Sequence, residues 1–426
     1  MINDTISKPQ HLVSLAKEQI NAFLCPLLDR LSRRVDPRLM RSFREVFSAI
    51  LTGYDADNSL LLTRFAETVA PNSDKLIHTV KRFHRFLHNS DWSEGDLRDY
   101  VVERSANHIG KGNQDELMIV DLSGCEKKYA KKMEQLCGIR DISDGLEKKK
   151  VTRGYPFLLA VLTTLAKGPA RLVSWRLFSY RAPDFISQNA IEWEFIESLW
   201  ARFGKGVIFT MDRGFGRFRL LGQMSEKGMR FVVRLKQDIH VDPGDERLIS
   251  LKWLSYAMAL VNWNKVYDVR DKREKVLRYG WRKVRRPEIK GEVYLVISWL
   301  EGEDTPWLLL TNEVVVSAED AWRIVQIYWR RMEVEQTLRY LMSELGIESF
   351  RVRSIEAIKK LFAIVMVVMG MLVEMFEGEP VLVELICRLG RWLGLKKEKP
   401  TLYKLRWGLR KLLTNTTPIQ LPWTYG

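Results

Sequence analysis

The sequence predicts an α/β protein: a sheet-based core with a β-strand insertion, flanked by helical amino- and carboxy-terminal regions. Three observations lead there. Apolar residues recur at helical spacing from residue 1 to about 110, and again beyond about 346. Between about 113 and 235 the pattern changes to short apolar runs of strand length. Two of those runs end on an aspartate, which is where open α/β sheets place their ligands.

The amino-terminal region, 1–112, contains HLVSLAKEQINAFLCPLLDRLS, RLMRSFREVFSAIL and DKLIHTVKRFHRFL, all with helical periodicity. Arg33, Arg34, Arg38, Arg41 and Arg44, and then Lys81, Arg82, His84 and Arg85, recur along these helices. A basic helical surface fits a nucleic-acid contact, and a helical cap with solvated charges is the plain alternative.

The first part of the core, 113–236, holds ELMIVDL, YPFLLAVLTT, RLVSWRLFSY, GVIFTMD and MRFVVRLK, with the helical AIEWEFIESLWARFG before the fourth. Three strands, a helix and then a strand bearing a second acid is the order a ribonuclease-H-like sheet requires. Residues 237–315 contain the strand-like EVYLVISWL and WLLLTN and a basic stretch, DKREKVLRYGWRKVRR, and are read as a mostly β insertion. The interleaved Tyr279 and Trp281 make that stretch a candidate for tracking a polynucleotide backbone, with a solvated hairpin as the alternative. Residues 316–350 return to the core as a helix, and 351–426 form a helical, basic carboxy-terminal region.

Candidate chemistry sits in three places. Asp121 follows the apolar run Leu117 to Val120, and Asp212 follows Val207 to Met211. In YWRRMEVEQTLRYLM, one helix over Tyr328 to Met342 would put Tyr328, Arg331, Glu335 and Arg339 on a common stripe. The neighbouring stripe Val334, Leu338, Leu341 and Leu345 is apolar and fits packing on a sheet. A solvated charged face and turn-forming aspartates are the bland readings. Taken together, Asp121, Asp212 and Glu335 make a three-carboxylate cluster that resists ionising unless a cation is bound. Oxygen ligands of this kind suit Mg²⁺ or Mn²⁺, and two such ions serve phosphoryl transfer on a polynucleotide.

These residues resemble the DDE transposases of bacterial insertion sequences, within the insertion sequence 4 family that carries the YREK signature. Tyr328, Arg331 and Glu335 match that signature; Met342 stands where its lysine belongs, and Arg339 keeps a cation one turn nearer the glutamate. The phrase PWLLLTNEVVVSAEDAWRIVQIY leads into it, with Trp307 at the place of a tryptophan that stacks on a flipped base in relatives. The resemblance implies a ribonuclease-H-like core and Asp121, Asp212 and Glu335 as catalytic metal ligands. Tyr328, Arg331, Arg339 and Trp307 are its implied DNA contacts. It further implies cut-and-paste transposition through a DNA hairpin, double-stranded transposon ends and target DNA as partners, a homodimer, and the cytoplasm and nucleoid of a prokaryotic cell. The region 1–112 then reads as a DNA-end-binding domain and 351–426 as a dimerisation or DNA contact. A nuclease of the same fold and a DNA-binding regulator descended from a transposase are the alternatives.

Composition agrees with an anionic partner, since the formal charge is +15 and the pI near 9.5. The four cysteines lack CxxC spacing, which argues against a zinc site and fits a reducing compartment. MINDTISKPQ lacks the basic-then-apolar pattern of a secretory signal. Leu361 to Phe376 is apolar but short for a span and contains Glu374, so a buried helix is expected there, with no membrane partner.

Overall fold

The computed structural model describes residues 9–53, 59–70, 73–109, 115–140, 151–166, 168–268, 271–390 and 399–414. Five helices come first: α1 (Pro9–Ser32), α2 (Pro37–Thr52), α3 (Leu62–Val69), α4 (Ser73–Leu87) and α5 (Glu94–Ala106). The three periodic segments of the amino-terminal region are therefore helical. Several of their basic residues are committed within the protein: Arg34 pairs with Asp96, and Arg41 and Arg82 both pair with Glu45.

The first four core strands are β1 (Glu116–Glu126), β2 (Cys137–Arg140), β3 (Val151–Thr164) and β4 (Arg171–Leu177). Next come α6 (Gln188–Phe203), β5 (Val207–Met211), α7 (Phe218–Glu226) and β6 (Arg230–Arg234). β1 pairs antiparallel with β3 and parallel with β5, and β5 pairs parallel with β6. β4 pairs antiparallel with β3, so five strands run in the order β4-β3-β1-β5-β6.

The segment after β6 adds a two-strand ladder, β7 (His240–Val241) with β8 (Ile249–Ser250), and a short helix, α8 (Leu251–Ala257). It continues with β9 (Asn262–Asp268), β10 (Arg273–Val284), β11 (Val293–Leu300) and β12 (Trp307–Thr311). The last four extend the same sheet, because β12 pairs with β6 and β11, β10 and β9 follow outward. The aromatics singled out on β10 do not face outward. Tyr279 is buried against Trp322 and Trp281 is half-buried on the same cluster. Strand alternation instead exposes Trp263, Lys265 and Tyr267 on β9 and Arg278 on β10.

α9 (Ala318–Trp329), α10 (Met332–Ser343), α11 (Ile355–Phe376), α12 (Pro380–Leu389) and α13 (Leu402–Thr414) complete the fold. One face of the sheet is covered by α6, α7 and α8. The opposite face carries α9 over β5, β6 and β10–β12, with α10, α11 and the amino-terminal helices over β1, β3 and β4. α11 is the apolar run expected to be buried: Leu361 to Val373 lie inside the protein. Its Glu374 is held by Arg104, whose Nε donates at 2.9 Å. Among the described residues no single helix is long and apolar enough to cross a membrane.

Candidate active site

The register of three neighbouring strands builds the floor of the site. Val120 is the last residue of β1 paired with β5, opposite Met211, and Met211 is opposite Val233 of β6. One step further along each chain stand Asp121, Asp212 and Arg234, side by side where the parallel pairing ends. Strand alternation sends all three the same way. Met118 and Val120, Phe209 and Met211, and Phe231 and Val233 enter the core under α6 and α7. The side chains of opposite parity therefore point to the face covered by α9 and α10.

Asp121 is not at a strand end, as its sequence implied. β1 continues to Glu126 because the long β3 keeps pairing with it, Asp121 opposite Leu159. What ends at Asp121 is only the pairing with β5, which frees that side of β1. Asp212 does follow the end of β5. Its Oδ1 accepts the backbone N–H of Gly214 at 2.8 Å, and a Cβ on Gly214 would lie 2.9 Å from that oxygen. A glycine is needed there for the carboxylate to hold this position.

Glu335 arrives on α10, which packs on β1 and β3 through Val334, Leu338 and Leu341, all buried. The single helix expected over Tyr328 to Met342 is in fact two. Between α9 and α10, the N–H groups of Arg331, Glu333 and Val334 bond to the carbonyls of Tyr328, Arg330 and Arg331, three residues back. This tight turn stacks Arg331 on Tyr328, its Cζ 5.9 Å from the ring centroid. It also sends the two adjacent arginines to different partners. Arg330 clamps the turn to β3 and its following loop, donating to Thr164 O at 2.9 Å, Thr163 Oγ1 at 2.6 Å and Gly168 O at 3.1 Å. Arg331 reaches Asp121 Oδ2 at 3.4 Å and also pairs with Glu335.

Asp121, Asp212, Glu335 and Arg331 thus share one electrostatic neighbourhood. Burial pushes the Asp121 carboxyl up to about 7; Arg331 opposes this, while Asp212 and Glu335 add to it. The Arg331 guanidinium is held above its ordinary value against the effect of burial, by Tyr328 and the three carboxylates. Carboxylate oxygens of this kind are the hard donors a divalent cation takes, were the three to come together. In the conformation described, Arg331 stands between Asp121 and Glu335. Among the described residues no group of three or more His, Cys, Asp or Glu side chains is close enough to hold a metal ion. Glu335 would join the two aspartates only when Arg331 turns away.

Tyr328 is buried, and burial holds its phenol above the ordinary value; Arg331 and Arg234, which donates to the hydroxyl, oppose that and Asp212 adds to it. Trp307 opens β12 and is half-buried, its ring edge-on to Tyr328 at 5.1 Å and to Trp329 at 5.4 Å. Arg339 is exposed one turn beyond Glu335 and forms no ion pair among the described residues. Met342 packs against the core, so the position of the missing lysine faces inward here.

Residues 187–371 match the family model for the transposase DDE domain. The match takes in Asp212, Trp307, Tyr328, Arg331, Glu335 and Arg339, and begins after Asp121. No curated protein matches the chain. Among solved structures, the chain aligns with a piggyBac transposase synaptic complex with hairpin DNA, determined by cryo-electron microscopy. That alignment has a TM-score of 0.44 and 11% identity, and covers 96% of this chain and 80% of that one.

Sequence reading missed Arg234, Arg330 and Gly214. Arg234 carries a usable signal, since it ends an apolar strand as Asp121 and Asp212 follow theirs. The roles of Arg330 and Gly214 come from contacts with β3 and with the Asp212 carboxylate, which only the fold brings together.

Proposed function

We propose that this protein is a DNA transposase that binds the two ends of a mobile element, cleaves them by metal-dependent phosphoryl transfer and joins them to target DNA. The observation that carries the reading is the arrangement of Asp121 on β1 and Asp212 just past the adjacent β5, beneath the helix bearing Glu335, in a chain whose residues 187–371 match the transposase DDE domain. The five-strand order β4-β3-β1-β5-β6, with its parallel β1-β5-β6 set, supports a ribonuclease-H-like core. The insertion sequence 4 family is the proposed branch, from Tyr328, Arg331 and Glu335.

Asp121, Asp212 and Glu335 would hold two Mg²⁺ or Mn²⁺ ions, which would supply charge neutralisation and a more acidic bound water. The protein's own residues do the positioning. Arg330 and Gly214 set the carriers of Glu335 and Asp212, and Arg331, Tyr328 and Arg339 would receive phosphate oxygens, Arg331 once it leaves the carboxylates. A dimer, a hairpin on the cleaved end and a prokaryotic cytoplasmic location complete the proposal. Strand-transfer products with a target plasmid test it: a nuclease of the same fold cuts without joining, and a regulator binds without cutting.

Arg339 is exposed and close to the site, so Arg339→Ala is expected to weaken duplex binding and reduce the salt slope by about one unit. An unchanged slope would assign that charge to solvent. Met342→Lys is expected to cost stability rather than restore a contact, since it places an ammonium at a core-packed position; melting measurements check this.

Trp307 lies against Tyr328, where turning its ring outward would offer a stacking face to a base. Trp307→Ala is expected to leave first-strand nicking near normal and slow hairpin formation roughly 5- to 150-fold, the worth of about 1 to 3 kcal/mol of stacking. Single-turnover time courses on labelled ends read both steps. Equal slowing of both, with a lowered melting temperature, would make Trp307 a packing residue only.

A further inference from the structure

We propose that the connection from β1 to β2, residues 127–136, is a contact for the backbone of duplex DNA running on from the Asp121 site; the proposal rests on reading that site as one that cleaves DNA. β1 carries the chain five residues past Asp121 before the connection starts. At about 3.4 Å per residue that is roughly 17 Å, or about five base pairs of a duplex.

The base of the connection is fixed. Lys127 turns inward, its Nζ 3.3 Å from the Phe350 ring centroid and donating to Phe350 O at 3.1 Å, and Cys125 Sγ bonds to Ile347 O at 3.0 Å. These contacts tie it to the chain just after the Glu335 helix. Beyond the anchor Ala130, Met133 and Leu136 pack on the core, while Lys128, Lys131 and Lys132 are exposed and Tyr129 is 89% exposed. Arg153 on β3 and Arg181 after β4 add two cations, and with Lys131 they line an open cavity of about 660 Å³.

Several cations elsewhere in the protein are already committed to carboxylates. Arg30, Arg34, Arg82, Arg104 and Arg217 all lie in ion pairs. Lys128, Lys131, Lys132, Arg153 and Arg181 form none among the described residues. Cations with no carboxylate partner exchange small counterions for phosphates at the least cost, and an exposed tyrosine among them packs on a sugar or an unpaired base. The anchor holds this surface in line with Asp121.

The test uses the full chain and a labelled random-sequence duplex of about 30 base pairs, with affinity followed by anisotropy between about 50 and 200 mM KCl. The triple variant Lys128→Gln, Lys131→Gln, Lys132→Gln is expected to bind more weakly and to lower the salt slope by about 2 to 3 units, with an unchanged melting temperature. A charge-matched control, Lys205→Gln, Lys227→Gln, Lys290→Gln, removes exposed cations from the opposite ends of the parallel strands and is expected to keep the slope. Tyr129→Ala is expected to lose affinity at constant slope. Wild-type binding with the same slope in the loop variant, or equal slope losses in both triple variants, would overturn the loop contact alone. A wild-type chain with no salt-dependent duplex binding would overturn both this proposal and the reading of the site.

Discussion

Replacing Asp121, Asp212 or Glu335 by alanine is expected to abolish DNA cleavage, by about a thousandfold or more, while duplex affinity stays within a few-fold of wild type. The asymmetry follows from the division of labour in the site. The three acids contribute to charge stabilisation worth several kcal/mol, and each 1.4 kcal/mol is about tenfold in rate. Affinity, in contrast, comes mainly from cations that meet phosphates, and the chain carries a formal +15. Removing an acid also releases Arg331, which each of Asp121 and Glu335 now engages. Binding by the Asp121 and Glu335 variants should therefore be unchanged or slightly tighter. Cleavage with Mg²⁺ at a near-wild-type rate by any one variant would remove that residue from the site.

Asp121→Asn is expected to stabilise the fold at alkaline pH and to be neutral in acid. The folded carboxyl titrates at about 7 against an ordinary value of 3.8, raised chiefly by burial. The native state thus keeps a proton that the unfolded chain releases between those values. The stability this contributes is fully present below about 4 and is lost as pH rises through about 7. Asparagine does not titrate, so its advantage grows from near zero at pH 4 to about 3 to 4 kcal/mol at pH 8. Urea midpoints at the two pH values give the comparison. Millimolar Mg²⁺ is expected to narrow the gap by stabilising wild type alone. An equal difference between the two proteins at both pH values would show that the Asp121 carboxyl is not electrostatically stressed.

Much of this site was legible in the chain, because its local signals survive folding. The apolar runs before Asp121 and Asp212 are strands, and Val334, Leu338 and Leu341 do turn the Glu335 helix toward the sheet. What stayed hidden was decided by partners far away in sequence. The apolar run before Asp121 does not reveal that β3, 30 residues on, holds β1 in extended form to Glu126. Helical spacing on both sides of Arg331 conceals the turn between α9 and α10, since a three-residue hydrogen bond shifts the stripe without changing residue types. The strands after β6 are legible as a mostly β segment, but the sequence does not reveal that β12 pairs with β6 and so extends the core sheet. Tyr279 and Trp281 sit among basic residues, but strand alternation turns them inward and their charged neighbours outward.

The most direct test of the central claim is one reaction. The purified chain is incubated with Mg²⁺, a supercoiled plasmid carrying the gene with its native flanking DNA, and a second plasmid as target. The account predicts double-strand breaks at inverted repeats bordering the gene and joining of the released ends to the target, both absent with Asp121→Ala. Cleavage without joining, cleavage at random positions, or products unchanged by that substitution would contradict it.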